Sequence, residues 1–476
     1  MVVGELTQER DLIIIGGGPG GYTAAIRAAQ LGKEVTLIEK EKLGGICLNR
    51  GCIPSKVISH VSNKFNDINQ SPELGFKIEN CSFDFSKTVE YKHKIITDLR
   101  KGIEALCKEN HIEVIQGTAS FLSADRIGVE NGDQFDIYTC NSAIISTGCS
   151  TKNHELYDHK HVLDSRSLYE LQEIPEQLIL FGNDYIALEA AFSYQSLGSE
   201  VHLVIENDIF PGLDFAINKE LFRQLKKAKI KLHKNLSFSS VELNKTHLSV
   251  AFDLKHGDKV TMEASYLYIQ SPFRANIGEL GIDRLGITCD EHGYIEIDKE
   301  CRTSIPTIWA VGDVTGGKQL AVKAIRQGKV AAEAISGIPS EWSEAFIPTI
   351  IHSKPPIATI GLTEEEAKDQ GYAVRTGQFN QARNGFAAIT GNRDGFSKVV
   401  SNAENDVILG IHLYGSNAIE LISTGILALE MAAREEDIKF PLFPHPSNNE
   451  GLLEAVEALV NQAIHQVPKK SKITSS

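Results

Sequence analysis

The sequence predicts an α/β protein with two Rossmann-like dinucleotide-binding domains and a C-terminal α+β domain. Three observations carry that reading. Residues 11–39 run strand, glycine turn, helix, strand; the same grammar returns at 178–206; and from about residue 346 the pattern changes to strands followed by helices. The length of 476 residues leaves room for about three domains of ordinary size. With 42% apolar and 23% charged residues, the chain has a globular balance and material for several cores.

In the first unit Leu12–Ile15 is apolar and β-branched, and Tyr22–Leu31 is alanine-rich. Gly32 stands where a helix-terminating glycine belongs, and Val35–Glu39 resumes an apolar strand. Residues 81–148 mix helical and strand patterns and end in the strand Ala143–Ile145. The second unit has the strand Leu178–Phe181, a turn at Gly182, an alanine-rich helix ending near Gly198, and the strand Val201–Ile205. Residues 230–270 read as several strands joined by polar turns. The last block carries the strands Ile357–Ile360 and Val407–Leu413 and the helices Ala418–Ala433 and Gly451–His465. The expected division is 1–149 and 275–345 for the first dinucleotide-binding domain, 150–274 for the second, and 346–476 for the C-terminal domain.

A formal net charge of −14 argues against nucleic acid or an anionic membrane as partner. The opening MVVGELTQER has no apolar core and is not a secretory signal, and no run of 18 apolar residues is present; a cytoplasmic protein with no membrane span is expected. The tail KKSKITSS reads as frayed. Of eight cysteines only Cys47 and Cys52 are close in sequence, and in a reducing compartment such a pair points to catalysis or metal binding. The other six read as small core or surface residues.

Gly16-Gly17-Gly18-Pro19-Gly20-Gly21 satisfies G-x-G-x-x-G directly after a strand and at the opening of a helix. Gly16, Gly18 and Gly21 let the backbone approach a pyrophosphate, whose charge sits at the positive helix N-terminus. Glu39 ends the next strand, 18 residues after Gly21, where a carboxylate can bond a ribose hydroxyl. In Cys47-Leu48-Asn49-Arg50-Gly51-Cys52, an ideal helix would hold the two Cα atoms about 8 Å apart, beyond the reach of a disulfide. Closing one requires the segment to be wound out of helical geometry, which Gly44, Gly45, Gly51 and Pro54 permit. No further Cys or His stands at metal-ligand spacing; two unrelated thiols remain the alternative to a disulfide. His445 can serve as proton acceptor, although Ser447-x-x-Glu450 is equally the spacing of a helix capping box.

The stretch GGICLNRGCIPSK, residues 44–56, resembles the active-site signature of the pyridine nucleotide–disulfide oxidoreductases, and its Cys-Ile-Pro-Ser-Lys ending is most similar to the dihydrolipoyl dehydrogenase branch. The resemblance runs essentially end to end, the opening MVVG included. It implies that Cys47 is the interchange thiol, that Cys52 lies against the flavin of FAD, and that Lys56 lies near the flavin N5 edge. Ser146-Thr147-Gly148 and Trp309-Ala310-Val311-Gly312-Asp313 resemble the family's two further FAD segments, implying cofactor contacts at Thr147, Gly148, Asp313 and Ala321. His445-Pro446-Ser447-Asn448-Asn449-Glu450 resembles its His-Pro-x-x-x-Glu, with His445 as acid/base and Glu450 orienting it. The same resemblance implies a homodimer in which His445 reaches the partner's active disulfide. It also implies NAD bound by the second unit through Gly182 and Glu206, Glu189 paired with Lys56, and a lipoyl-bearing acyltransferase of a 2-oxoacid dehydrogenase complex as partner. Glu206 repels a 2′-phosphate and no arginine cluster follows it, which favours NAD over NADP.

The second loop departs from the family pattern. Gly182-Asn183-Asp184-Tyr185-Ile186-Ala187 places Asp184 at the middle glycine, where its charge would face the pyrophosphate, and Pro272-Phe273-Arg274-Ala275-Asn276 replaces a Gly-Arg-x-Pro-Asn stretch. Val322, Gln327, Pro356 and Phe443 are smaller departures. Two rival readings accompany the dehydrogenase: a reductase of a small disulfide or metal ion on this fold, and a flavin-holding paralogue with impaired NAD turnover.

Overall fold

The computed structural model describes residues 7–70, 74–77, 81–151, 156, 159–244, 247–255 and 257–467. The opening MVVG and the tail KKSKITSS lie outside these residues. The chain forms two compact units: residues 1–58, 82–173 and 271–344 in one, and residues 59–81, 174–270 and 345–476 in the other.

The first unit is built on a sheet whose parallel core runs Glu113–Gln116, Val35–Glu39, Thr7–Ile15, the end of Gln134–Ile145, and Ile308–Ala310. The strand Gln134–Ile145 is long enough to pair twice on one edge: its first half takes Arg126–Asn131 antiparallel, its second half takes Ile308–Ala310 parallel. Period-2 alternation splits the core. Leu12, Ile14 and Leu37 face Ala24, Ala25, Ala28, Ile96, Ile103 and Val330 of the helices Pro19–Gln30, Phe85–Glu109 and Ala321–Ile335. Ile13, Ile15 and Ile38 face Phe121, Ile127 and Tyr138 on the other side. Small alanines let the first helix lie close to the sheet, and that fixes where its N-terminus points. Gly32, at φ +86°, ends this helix where the sequence placed the terminator.

The second unit repeats the βαβ pattern. Lys231–Lys234, Glu200–Ile205, Gln177–Phe181 and Tyr266–Ile269 form a parallel sheet in that order, with the helix Tyr185–Ser196 crossing over. A three-stranded antiparallel meander follows, Leu236–Leu243, Leu248–Leu254 and Lys259–Ala264. The C-terminal part is a five-stranded antiparallel sheet ordered Thr349–Ile351, Ile357–Gly361, Ile408–Tyr414, Phe396–Asn402, Val374–Asn380, whose core is shared with the helices Ala418–Glu430 and Asn449–Glu457. Both helices stop short of the expected ends. The first terminates at Met431, where the backbone of Ala432 turns to positive φ, and the second gives way to a 3-10 turn at Ala458–Val460.

Candidate active site

The cysteine segment folds as the spacing demanded. Gly45–Asn49 is one short helix and Cys52–Gln70 a second, and the break at Arg50 and Gly51 brings the two Cα atoms to 4.7 Å, where Cys47 and Cys52 are joined by a disulfide. Both residues are half-buried. Lys56 lies four residues beyond Cys52 in the same helix, one turn along the same face. Asn49 ties the segment down by donating through its side chain to the carbonyls of Leu43 and Gly45 at 3.1 and 2.9 Å, and its side-chain Oδ1 accepts from Arg100 at 3.2 Å.

The first glycine loop adjoins this segment in the same unit. Gly16 adopts φ +102°, and a Cβ there would lie 2.5 Å from the Ser146 carbonyl oxygen. At Gly21 a Cβ would lie 1.9 Å from the Gly16 oxygen, so the helix can start this close to the strand only with glycine. Gly18 caps the helix with no side-chain hydrogen bond, and a Cβ on it would meet nothing closer than Gly45 Cα at 3.8 Å. Glu39 accepts from the Gly17 N–H at 2.6 Å and the Glu41 N–H at 2.7 Å, which holds its carboxylate at the end of its strand beside the loop. The Ser146 hydroxyl lies 2.6 Å from the Gly16 oxygen. Thr147, next to it, has a hydroxyl oxygen screened from solvent without a hydrogen-bond partner. A glycine cradle, uncapped helix amides and an orphaned hydroxyl in one place fit FAD.

Several residues to which the sequence reading gave no site role complete this wall. Asn276 donates through its backbone to Gly148 O at 3.0 Å and through its side chain to Thr147 O at 2.9 Å, while the Ser150 hydroxyl donates to Asn276 Oδ1 at 2.6 Å. The altered 272–276 stretch thus has a structural role here, pairing Phe273–Ala275 with Cys149–Thr151. Asp313 is pushed up by burial, against the pull of Lys323 and of the Cys149 thiol 3.6 Å away. Burial pushes Lys323 down, opposed by Asp313, and its ammonium donates to the Gly316 carbonyl. The buried Gln327 accepts from the Gly312 N–H at 2.8 Å and so props the turn that carries Asp313. Ala321 opens the helix Ala321–Ile335, which lacks a side-chain cap. A lysine and a glutamine on the inward face of an amphipathic helix were the available signal.

In the second unit the strand Glu200–Ile205 delivers an exposed Glu206. Glu189 is buried in the crossover helix and accepts from the His352 N–H at 2.9 Å. Gly182 opens the loop at φ +154°. Asp184 needs no unusual backbone angles: at φ −92° and ψ 172° it caps the helix, Oδ1 accepting from the Ala187 N–H at 2.8 Å and Oδ2 from the Tyr268 hydroxyl at 3.2 Å. In the C-terminal part of the chain His445 Nδ1 lies 2.7 Å from Glu450 Oε1, and Glu450 Oε2 accepts from the Ser447 N–H at 2.9 Å. Burial pushes Glu450 up, but His445 and the Ser447 amide outweigh it and hold the carboxyl below its usual range. The capping box is half formed, since the Ser447 hydroxyl accepts from Asn449 instead of Glu450. The imidazole is 80% exposed, which leaves its Nε2 face open.

Residues 10–328 match the pyridine nucleotide-disulphide oxidoreductase family, and residues 347–456 match the dimerisation domain of those enzymes. The chain is 38% identical over 473 residues to a dihydrolipoyl dehydrogenase of Geobacillus stearothermophilus, covering 98% of this chain and 100% of the relative. It is 37% identical to a dihydrolipoyl dehydrogenase of Bacillus subtilis, with the same coverage. Among solved structures, LpdA from Mycobacterium tuberculosis matches with TM-score 0.87 and 25% identity over 94% of this chain and 99% of that one. The HOCl-induced flavoprotein disulfide reductase RclA from Escherichia coli shares the fold, with TM-score 0.85 at 24% identity over 95% of this chain and 99% of that one.

Proposed function

The chain belongs to the pyridine nucleotide-disulphide oxidoreductase family, and on that premise we propose that it is a dihydrolipoyl dehydrogenase, oxidising protein-bound dihydrolipoyl groups with NAD⁺ as final acceptor. The carrying observation is the Cys47–Cys52 disulfide across a helix break, next to the glycine loop and the orphaned Thr147 hydroxyl. FAD, when bound, would supply the two-electron acceptor for the reduced cysteine pair.

A dihydrolipoyl thiolate attacks Cys47 Sγ; the Cys47–Cys52 bond breaks and Cys52 leaves as thiolate. The second dihydrolipoyl sulfur then closes the lipoyl disulfide and releases Cys47, so that two electrons have moved from substrate to enzyme and two protons must be taken up. His445, oriented by Glu450, is the acceptor, because exchange at neutral pH needs a base that titrates nearby. Lys56, one turn from Cys52, stabilises the thiolate by its charge. Thr147, Gly148, Asp313 and Ala321 would hold FAD together with Gly16, Gly18, Gly21 and Glu39. Gly182 and Glu206 belong to the NAD site.

The chain forms a homodimer through residues 347–456. On a single chain Met431 is 77%, Phe440 90% and Leu442 100% exposed, apolar surface suited to a partner copy. His445 lies in this region and would serve the partner's disulfide. The physiological reductant is a lipoyl-bearing acyltransferase of a 2-oxoacid dehydrogenase complex. No helix among the described residues is long and apolar enough to cross a membrane.

Anaerobic titration of the purified flavoprotein tests this reading. Dihydrolipoamide should reduce the disulfide and perturb the flavin spectrum at one equivalent, and glutathione should not. Indifference to dihydrolipoamide would sink the proposal.

A further inference from the structure

The two glycine loops of this chain are built on one backbone plan and differ in what stands at the helix cap. Gly18 has φ −71° and ψ −176°; Asp184 has φ −92° and ψ 172°. Both are extended, so glycine at this position is not required by the backbone. What Gly18 provides is emptiness: it adds no side-chain bond to the amides that follow. Asp184 fills that space with a carboxylate. Its Oδ1 takes the Ala187 N–H, one of the donors that a helix N-terminus offers an anion, and the Tyr268 hydroxyl holds Oδ2. The Asn183 N–H is taken as well, by Gln270 Oε1 at 2.8 Å. Burial pushes the Asp184 carboxyl up, against the Ala187 amide and the Tyr268 hydroxyl, to about 6, which still leaves it ionised at neutral pH. Two amides that would cradle a pyrophosphate are therefore bonded from within the protein, the Asn183 N–H by a neutral side chain and the Ala187 N–H by a carboxylate of the ligand's own sign.

We propose that Asp184 is a specificity-determining residue of the pyridine nucleotide site: its carboxylate stands in for the pyrophosphate on the helix N-terminus, so that the protein discriminates against the dinucleotide there and binds NAD⁺ weakly. The inference rests on the dehydrogenase reading. Like charges about 4 Å apart weaken binding by roughly 5- to 1000-fold in effective dielectrics of about 80 to 20. The loop resists NAD⁺ by the interaction that makes it a well-formed helix start.

The test uses the full-length flavin-loaded protein and two variants. Asp184→Gly removes both charge and cap; Asp184→Asn removes the charge and keeps an acceptor for the Ala187 amide. NAD⁺ binding is measured by calorimetry on oxidised enzyme, without turnover. Asp184→Gly should tighten the Kd at least tenfold and Asp184→Asn at least threefold. Kd values within twofold of the wild type for both variants would overturn the proposal. If Asp184→Gly proves unstable, Asp184→Asn decides alone, by the same thresholds. Dihydrolipoamide reduction of the flavin, run on the same samples, reports the disulfide chemistry separately: its failure in the wild type refutes the dehydrogenase reading, whatever the Kd values show.

Discussion

Gly18→Ala and Gly21→Ala put the same methyl group three residues apart in one loop, and the structure assigns them different outcomes. At Gly21 the new Cβ would fall 1.9 Å from the Gly16 carbonyl oxygen and 2.4 Å from Ser146 Oγ, both fixed by the strand ends behind them. An unstrained carbon–oxygen contact needs about 3.3 Å or more, so the helix start must retreat by over an ångström. Overpacking of this kind costs about 1–3 kcal/mol, or roughly 2–12 °C in the thermal transition of a domain this size. At Gly18 the nearest atom to a Cβ is Gly45 Cα at 3.8 Å, an ordinary contact. There the apoprotein loses only the preference of a helix cap for glycine over alanine, about 1 kcal/mol or less. Both variants should lose flavin affinity by at least tenfold, one because the loop has moved and the other because the methyl takes the pyrophosphate's place. Differential scanning calorimetry of the flavin-free proteins, followed by FAD titration, separates the effects. A Gly18→Ala protein that binds FAD as tightly as the parent would refute the assignment of this loop to the cofactor.

Further outcomes follow from the same geometry. Cys47→Ser and Cys52→Ser should each abolish flavin reduction by dihydrolipoamide in stopped-flow absorbance, while thiol titration of the denatured, unreduced protein finds one free thiol more than the parent, because the partner sulfur is released from the disulfide. His445→Ala should slow that half-reaction by about 10²- to 10⁴-fold, and Glu450→Ala by less, because it displaces the ring without removing the base. Lys398 is buried between Asp214 Oδ2 at 2.8 Å and Glu364 Oε2 at 2.9 Å. Lys398→Met, which strands the fully buried Asp214, should cost about 3–5 kcal/mol in chemical denaturation. Glu364, held down to about 2 by Lys368 and then Lys398, contributes stability that is present above about pH 4.5 and lost as the pH falls toward 2. The thermal transition should drop over that window, and less steeply in Lys398→Met.

The fold was legible wherever burial imposes a period. Leu12–Ile15 and Val35–Glu39 are apolar because parallel strands are covered on both faces, and the alanines of the first helix record its close approach to the sheet. The cysteine pair was legible from the resemblance of residues 44–56; helix geometry added only that a disulfide would require a break in the segment, and the chain breaks at Arg50–Gly51. What stayed hidden were the partners of single side chains. Asn276 anchoring Thr147 spans 129 residues and has no local pattern, because the sheet brings the two together; Lys323 and Gln327 show only as polar residues on the inward face of a helix, which does not say that they meet Asp313 and Gly312. Helix ends were missed at Met431 and Ala458 for a related reason: the apolar periodicity continues into turns that pack on the same core.

Asp184 shows where pattern and physics part. Read as a string, the missing glycine puts a charge where the pyrophosphate would lie. The structure adds that the turn itself is intact, because the residue sits in extended backbone and gives its helix a cap that glycine would lack. A dinucleotide turn therefore answers two separable demands. Folding asks that the first amides of the helix be satisfied; binding asks that they be left unsatisfied until the ligand arrives. The first loop meets the second demand, with an uncapped helix start and an unpartnered Thr147 hydroxyl beside it. The second meets the first demand. Stability and affinity should then move in opposite directions on Asp184→Gly: a lower thermal transition with tighter NAD⁺ binding. A variant that gained both, or lost both, would show that the carboxylate does not occupy the nucleotide's place.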